Sequence, residues 1–372
     1  MVILSYNLCY QIMSGEMHVQ KSDQITTFVS RQKSYIVNHV NAFVNSQGKH
    51  GNPAGVILLD NEFNFPLPDD IMVDIARQVG YPETAFAKLC SREGTGFDVD
   101  VRFATPASAN GFCGHATVAT IGLLFSNQLI SGNGTIYMRT TVLGENSPIP
   151  ELCIIPITCS NALVEMQQNL PIFHITLDPL QLKNRILNSL ELPLSNFLHD
   201  IEIVNTGGKD AIVVFKEKSV LDNVHLTDEI CQKISEVSRC YNIVGYHLFA
   251  KDCLSYDMVA DINDKINVQV TGVRNFAPLE DIPEEAATGS ANGAMACYIV
   301  KNILSPLLKT DHFDKPRNRV KIKFEIDQGQ KMGCPSNIFV DVCFDQMLNE
   351  FVSVKVSGRF KENSLKRNSI YI

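Results

Sequence analysis

Glu83 stands directly after Pro82, in a run whose next residues, Ala85-Phe86-Ala87, are small or apolar. A carboxyl in an apolar cleft loses the hydration of its charged form, so its pKa rises toward neutrality and it can act as a general acid or base. A surface glutamate closing a strand end is the plainer alternative. Two short motifs suggest what such a group would act on. Cys113-Gly114-His115 and Thr288-Gly289-Ser290 each lie between a Pro-containing strand end and a helix of small residues. Glycine lets the backbone approach a ligand, and the free N–H groups and dipole of a starting helix attract an anion. Two such starts facing each other would clamp a carboxylate-bearing small molecule; glycines that only permit tight turns are the alternative. His115 could donate to that carboxylate or shuttle a proton. Cys113, at a helix N-terminus, is expected to have a lowered thiol pKa and so to be capable of acid–base work. The equivalent Thr288 is not, which argues against a two-thiol racemase. Glu284 and Glu285 precede the second helix, where acidic groups favour its positive end.

The two motifs close a longer duplication. In the first half Gly51-Asn52-Pro53-Ala54-Gly55-Val56 is followed by Glu83-Thr84-Ala85-Phe86-Ala87-Lys88, Arg102-Phe103-Ala104 and Cys113-Gly114-His115. In the second, Gly207-Gly208-Lys209-Asp210-Ala211-Ile212 is followed by Tyr246-His247-Leu248-Phe249-Ala250-Lys251, Arg274-Asn275-Phe276-Ala277 and Thr288-Gly289-Ser290. Tyr246 thus takes the place of Glu83, so the halves differ where chemistry would sit.

Each half spells strand, helix, strand, strand, helix. Tyr35 to Leu59 reads as a hairpin around a Gly-rich turn. Asp69 to Val79 has Ile71, Ile75 and Val79 at helical spacing and a stop at Gly80. Thr227 is a credible N-cap for a helix with Asp228 and Glu229 in its first turn, an apolar stripe of Ile230, Ile234 and Val237, and an end near Arg239. Leu143 to Pro171 is rich in Pro, Asn and Ser and predicts an irregular connection, with Gln167 to Pro171 as the linker. Lys309 to Arg319 predicts a surface loop. Val320 to Ile326, Ile338 to Phe344 and Phe351 to Val356 predict closing strands, the last returning to the first domain.

With 372 residues the chain suits two domains, each able to bury a core. The boundaries expected are an extension over 1–35 (loosely ordered, or the product of a misassigned start), domains over 36–170 and 171–350, and a closing strand and tail over 351–372. The fold class is α+β. A net charge of −8 without long like-charge runs argues against nucleic acid. Eleven cysteines, an odd number without a Cys-x-x-Cys pair, fit the reduced thiols of a cytoplasmic protein. The mildly apolar start lacks a basic region and an unbroken apolar run, so neither a signal peptide nor a membrane span is expected. His50 and His247 have no ligand spacing around them, and no metal site is expected. G-x-G-x-x-G, P-loop and G-x-S-x-G patterns are absent, which leaves nucleotide-dependent and serine-hydrolase chemistry without support.

Taken together, Gly51-Asn52-Pro53, Glu83-Thr84-Ala85-Phe86, Arg102-Phe103-Ala104-Thr105-Pro106, Cys113-Gly114-His115-Ala116-Thr117, Phe276-Ala277-Pro278, Ala287-Thr288-Gly289-Ser290-Ala291 and Gln328-Gly329 resemble the PhzF family. These phenazine-biosynthesis-like proteins share the diaminopimelate epimerase fold. Over about residues 36–360 the resemblance implies two pseudo-symmetric domains, each a mixed, mostly antiparallel sheet rolled around a central helix, with the site between them, no cofactor, and a homodimer. It places Glu83 on the family's catalytic glutamate, which moves a proton in an allylic isomerisation, and Gly114, His115, Gly289 and Ser290 on substrate contacts. Family members usually have Glu-Asp-Pro before Ala-Thr-Gly-Ser, whereas this chain has Glu284-Glu285-Ala286. Glu285 therefore stands where an active-site Asp is expected. Cys334 stands where an Arg is common.

The candidate catalytic residues are Glu83, His115 and Glu285; the candidate substrate-binding residues are Asn52, Cys113, Gly114, Thr288, Gly289 and Ser290. The leading function is a cofactor-independent isomerase acting on a small carboxylate-bearing metabolite. An amino-acid epimerase or racemase, and a non-catalytic small-molecule binding or interaction protein of the same fold, are the alternatives.

Overall fold

The computed structural model describes residues 34–60, 65–109, 111–132, 134–143, 150–257, 265–308 and 319–371. The expected extension over 1–35 lies outside the described residues up to residue 33, and the expected surface loop from Lys309 lies outside them up to residue 318.

Strands β1 (Ser34–Ala42), β2 (Asn52–Leu59), β3 (Glu83–Leu89), β4 (Val99–Ala104), β5 (Thr135–Leu143), β6 (Pro150–Ser160) and β7 (Leu163–Gln167) pair in chain order. They are followed by β8 (Ile172–His174), β9 (Glu202–Asn205), β10 (Lys209–Phe215), β11 (Gly245–Ala250), β12 (Leu254–Asp257), β13 (Lys265–Phe276), β14 (Val320–Gln328), β15 (Ser336–Asp345) and β16 (Glu350–Tyr371). The last strand joins everything. Its first part pairs antiparallel with β15 on one side and β7 on the other, and its later part pairs with β1. The ring β1 to β7 is thereby closed by β16, which leaves no free edge in that barrel. From β16 the sheet continues through β15, β14, β13, β11, β10 and β9 to β8. Most pairings are antiparallel; β2–β3, β4–β5, β10–β11 and β13–β14 are parallel.

Helices Gly114–Ser126 and Gly289–Ile299 contain no charged residue and are buried on nearly all sides. A helix apolar all round has no face to offer water, so it becomes the centre about which strands wrap. The first packs against β1, β2, β3 and β16, the second against β9, β10, β15 and β16. Small residues let the wrapping be tight: the Phe360 ring of β16 lies within 2.2 Å of where a Cβ on Gly122 would stand. The helix Asp69–Val79 begins after Pro68 and ends at Gly80, whose φ of 72° allows its N–H to reach Ala76 O. Its buried residues are Met72, Ile75 and Ala76, one position round from the stripe predicted by Ile71 and Val79. Thr227 caps the helix Asp228–Tyr241 by accepting from Ile230 N.

Three expectations need correction. The stretch Leu143 to Pro171 is not irregular where it is described. β6 and β7 form a hairpin whose two turn residues, Asn161 and Ala162, have φ of 51° and 59°. That is the turn class usually signalled by Asn-Gly, and alanine in the second place conceals it. The closing strand is not followed by a tail within the described residues, because β16 runs on to Tyr371 against β1. Tyr246 is not the partner of Glu83 by register: Glu83 pairs with Ala54, while Asp210, which matches Ala54, pairs with Gly245. Tyr246 turns its hydroxyl to Ser189, 3.0 Å away in the core.

Candidate active site

Gly114 and Gly289 open the two central helices, and a Cβ on Gly114 would stand 3.8 Å from the Gly289 Cα. No side chain separates the two helix starts, which both border a cavity of about 280 Å³. Its wall includes Glu83, Cys113, His115, Glu280, Glu285 and Ser290. Gly114 and His115 in one helix and Gly289 and Ser290 in the other are first-turn residues, whose N–H groups have no partner inside their own helix. Such N–H groups with the helix dipoles suit an anion.

Glu83 is the first residue of β3, so the parallel pairing with β2 holds its backbone while its side chain enters the cavity wall. Its Oε2 is sealed from solvent and has no hydrogen-bond partner. Burial pushes its pKa up to about 8, and the neighbouring charges of Glu285 and Glu280 push the same way. At neutral pH it therefore holds its proton yet can lose it at little cost, the condition for a general acid/base.

Glu285 is held on all sides. Its Oε1 accepts from Asn52 Nδ2 at 2.8 Å and lies 3.2 Å from His115 Nδ1, while its Oε2 accepts from Thr288 Oγ1 at 2.6 Å. Gln328 Nε2 donates to the Glu285 carbonyl at 2.8 Å, and Gln328 Oε1 accepts from Thr288 N and Asn292 Nδ2. The network runs on to His247, whose ring nitrogens lie 2.9 Å and 3.1 Å from Asn275 Oδ1 and Asn292 Oδ1. Glu284, by contrast, turns away from the cavity and pairs with buried Arg274.

The structure brings Glu83, His115, Glu285, Cys113, Gly114, Thr288, Gly289 and Ser290 to one cavity. Asn52 is corrected. It is buried behind Glu285 and gives Nδ2 to Glu285 and to Ala287 O, so it positions the carboxylate and does not line the cavity. The lowered thiol pKa expected for Cys113 is also corrected: burial, with the Glu83 and Glu285 charges, raises it well above the usual thiol value. The helix start supplies the Ala116 and His115 N–H groups, the first 3.5 Å from Sγ, which together are too little to offset desolvation. Thr288 spends its N–H on Gln328, leaving Gly289 and Ser290 as the anion-facing part of that start. Cys334 lies outside the cavity wall. Among the described residues there is no group of three or more His, Cys, Asp or Glu placed to hold a metal ion, and no helix long and apolar enough to cross a membrane.

Residue-by-residue reading missed Glu280, Asn292 and Asp210. Asp210 is buried on β10 with its pKa raised to about 7 by burial first and by Glu285 second. A carboxyl inside Lys209-Asp210-Ala211-Ile212-Val213-Val214-Phe215, an otherwise apolar strand, was the available signal.

These two acids set a pH dependence. Unfolded, Glu83 and Asp210 would release protons near 4.5 and 3.8; folded, they keep them to about 8 and about 7. The folded state binds more protons in between, so the stability they contribute is full below about pH 4 and is lost as pH rises through 7 to 8. The spans are worth up to about 5 kcal/mol for Glu83 and about 4 kcal/mol for Asp210, less where the two share the field of Glu285. Thermal unfolding should show a melting temperature that falls between pH 5 and pH 8, with a shallower fall in Glu83→Gln and Asp210→Asn. An equal fall in both variants would place its origin elsewhere.

The family model for the phenazine biosynthesis-like protein matches residues 40–360. An uncharacterized isomerase of Clostridium acetobutylicum is 29% identical over 316 residues, covering 83% of this chain and 89% of that protein. Among solved structures, the Bacillus anthracis phenazine biosynthesis protein of the PhzF family superposes with a TM-score of 0.66 at 21% identity, over 91% of this chain and 100% of that one. A predicted epimerase from Pseudomonas aeruginosa superposes with a TM-score of 0.61 at 18% identity, over 91% and 99%.

Proposed function

Since this chain belongs to the phenazine biosynthesis-like (PhzF) family, an isomerase family, we propose that it moves a proton on a small carboxylic acid, without a cofactor, using Glu83 as general acid/base. The observation that carries this reading is the sealed, unpartnered Oε2 of Glu83 in the wall of a cavity that both helix starts border. The substrate carboxylate lies against the N–H groups of the helix starts. The ionised form of Glu83 takes a proton from one carbon and returns it to another, so that the double bond shifts and the enzyme is unchanged. Glu285, fastened by Asn52 and Thr288, keeps His115 oriented through Nδ1. Two pseudo-symmetric halves, each wrapped about its own helix, account for a site at their junction; the matching parallel pairs β2–β3 and β10–β11 support that reading.

The test is exchange in heavy water. Incubating the protein with a pool of small carboxylic acids should deuterate one of them at carbon, read by mass spectrometry. No incorporation supports a binding protein, and loss of chirality supports an epimerase. Cys113→Ala should cost at most about tenfold in exchange rate, because a thiol pushed so far up is a poor base at neutral pH. A thousandfold loss would restore the thiol to the chemistry.

A further inference from the structure

A second cavity, of about 340 Å³, adjoins the first, and Phe112 and Gly207 line both. Gly207 has no left-handed φ that would call for glycine, so space accounts for its type. A Cβ there would stand 3.3 Å from the Ser290 Cβ, in the wall of the first cavity, and 3.4 Å from Gln168 Oε1, in the wall of the second. The missing side chain thus leaves a neck between the two spaces. Their chemistry differs. Glu83, Glu280 and Glu285 line the first, whereas no Asp, Glu, Lys, Arg or His lines the second. Gln167, Gln168, Asn169 and Asn205 give it four side-chain amides, and Phe112, Ile155 and Ile172 add apolar surface. Gln168 is the most enclosed of the amides, with 7% exposure. Its backbone N–H donates to Val354 O at 2.9 Å, and its Cγ lies 3.8 Å from where a Cβ on Gly293 would stand, so its stem is held against the second central helix. Its side-chain amide has no hydrogen-bond partner among the described residues. An unmet buried amide costs about 1–3 kcal/mol, and a ligand group with both a donor and an acceptor would remove that cost. A charged group would lose its hydration there without a counter-ion, and a hydrocarbon would leave the amide unmet.

We infer that the second cavity is a subsite for a neutral carboxamide at the far end of the substrate, whose chain passes over Gly207. Resting on the proposed carboxylate site, this makes the substrate a carboxylic acid with an amide-terminated arm. A carboxamide carries its N–H and C=O in one plane, so it can donate to Gln168 Oε1 and accept from Gln168 Nε2 together. Asn205 adds a second donor: its Oδ1 already accepts from Gly207 N at 3.0 Å, which leaves Nδ2 for a ligand. The span is short. Ser290 and Gln168 both touch the place of one missing Cβ, so a chain of a few methylene groups joins a carboxylate at the second helix start to an amide at Gln168. The subsite takes no part in the proton transfer and selects which acid is held for it.

Calorimetric titration of the full chain tests the subsite with acids that differ only in the group at the far end: adipamate, which ends in a carboxamide, adipate, which ends in a carboxylate, and 6-methylheptanoate, which ends in an isopropyl group of the same shape. Glutaramate and pimelamate, with their own carboxylate and isopropyl counterparts, vary the length by one methylene either way. At the best length the carboxamide should bind at least about tenfold more tightly than either counterpart. Gln168→Met keeps the length of the side chain and removes the amide, and should reduce that preference below about threefold. Ile172→Trp fills the cavity from an exposed position that a larger side chain does not unfold; it should weaken the carboxamide about tenfold and butanoate, too short to reach the neck, less than about twofold. Circular dichroism melts establish that both variants fold. Equal affinity within all three sets, including no binding by any probe at millimolar concentration, would overturn the subsite, as would a preference that survives either variant. Loss of the subsite with heavy-water exchange intact leaves the isomerase reading standing. A carboxamide preference abolished by Gln168→Met in a protein without exchange supports the subsite and removes the isomerase reading.

Discussion

Glu83→Gln should abolish exchange of substrate protons with solvent while leaving ligand affinity within about tenfold. The amide has the shape of the carboxyl but cannot give or take a proton at neutral pH. Little else should change, because Oε2 has no hydrogen-bond partner to lose. The substitution also removes a group whose ionised form is opposed by burial and by Glu285 and Glu280, so the fold should be undamaged or slightly more stable at pH 8. Exchange in heavy water, followed beside calorimetric affinity, separates the effects. Turnover equal to that of the unmodified protein would remove Glu83 from the chemistry; lost affinity with lost exchange would make it a binding group.

How much of this was legible in the sequence depends on whether the signal was local. Thr227 and Gly80 act within one turn of their helices, and both ends could be read from residue type alone. The two central helices were legible because Gly-His-Ala-Thr and Gly-Ser-Ala-Asn put small residues where backbones meet. Glu83 was legible because apolar neighbours in sequence were also its neighbours in space. Asn52 was named for the wrong reason. Its partners, Glu285 and Ala287, lie in the other half of the chain, and only the fold shows that its amide is already occupied. Cys113 failed differently: a helix start lowers a thiol pKa only when water also reaches the sulfur, and burial cannot be read from three residues. Asp210 was hidden by its own repeat, since its counterpart Ala54 carries no chemistry and the one-residue slip at Tyr246 masked its pairing with Gly245.

Glu285→Asp should lower the rate on the order of a hundredfold with a smaller effect on affinity. The shorter side chain cannot advance to compensate, because the backbone at 285 is pinned at both ends: its N–H donates to Asn275 O at 3.0 Å, and its carbonyl accepts from Gln328 at 2.8 Å. Withdrawn by one methylene, the carboxylate cannot hold Asn52, Thr288 and His115 at once. Asn52 is fully buried, so an unmet amide hydrogen there costs about 1–3 kcal/mol, which should appear as a lower melting temperature. His115 loses the carboxylate at Nδ1 and keeps there only Cys113 Sγ, 3.1 Å away, a weaker hold on the ring. The opposite outcome has its own meaning. An aspartate is what the family usually carries at this place, and if Glu285 is only a drifted copy of it, the change should raise exchange on a dihydro-aromatic acid of the kind the family resemblance suggests. The surroundings argue against drift. Asn52, Thr288 and His115 all meet the longer carboxylate at distances from 2.6 Å to 3.2 Å, a fit that a displaced group would not find in three partners together. Exchange rates for both kinds of acid, measured on the same preparation, decide between a site fitted to its own substrate and one inherited and lost.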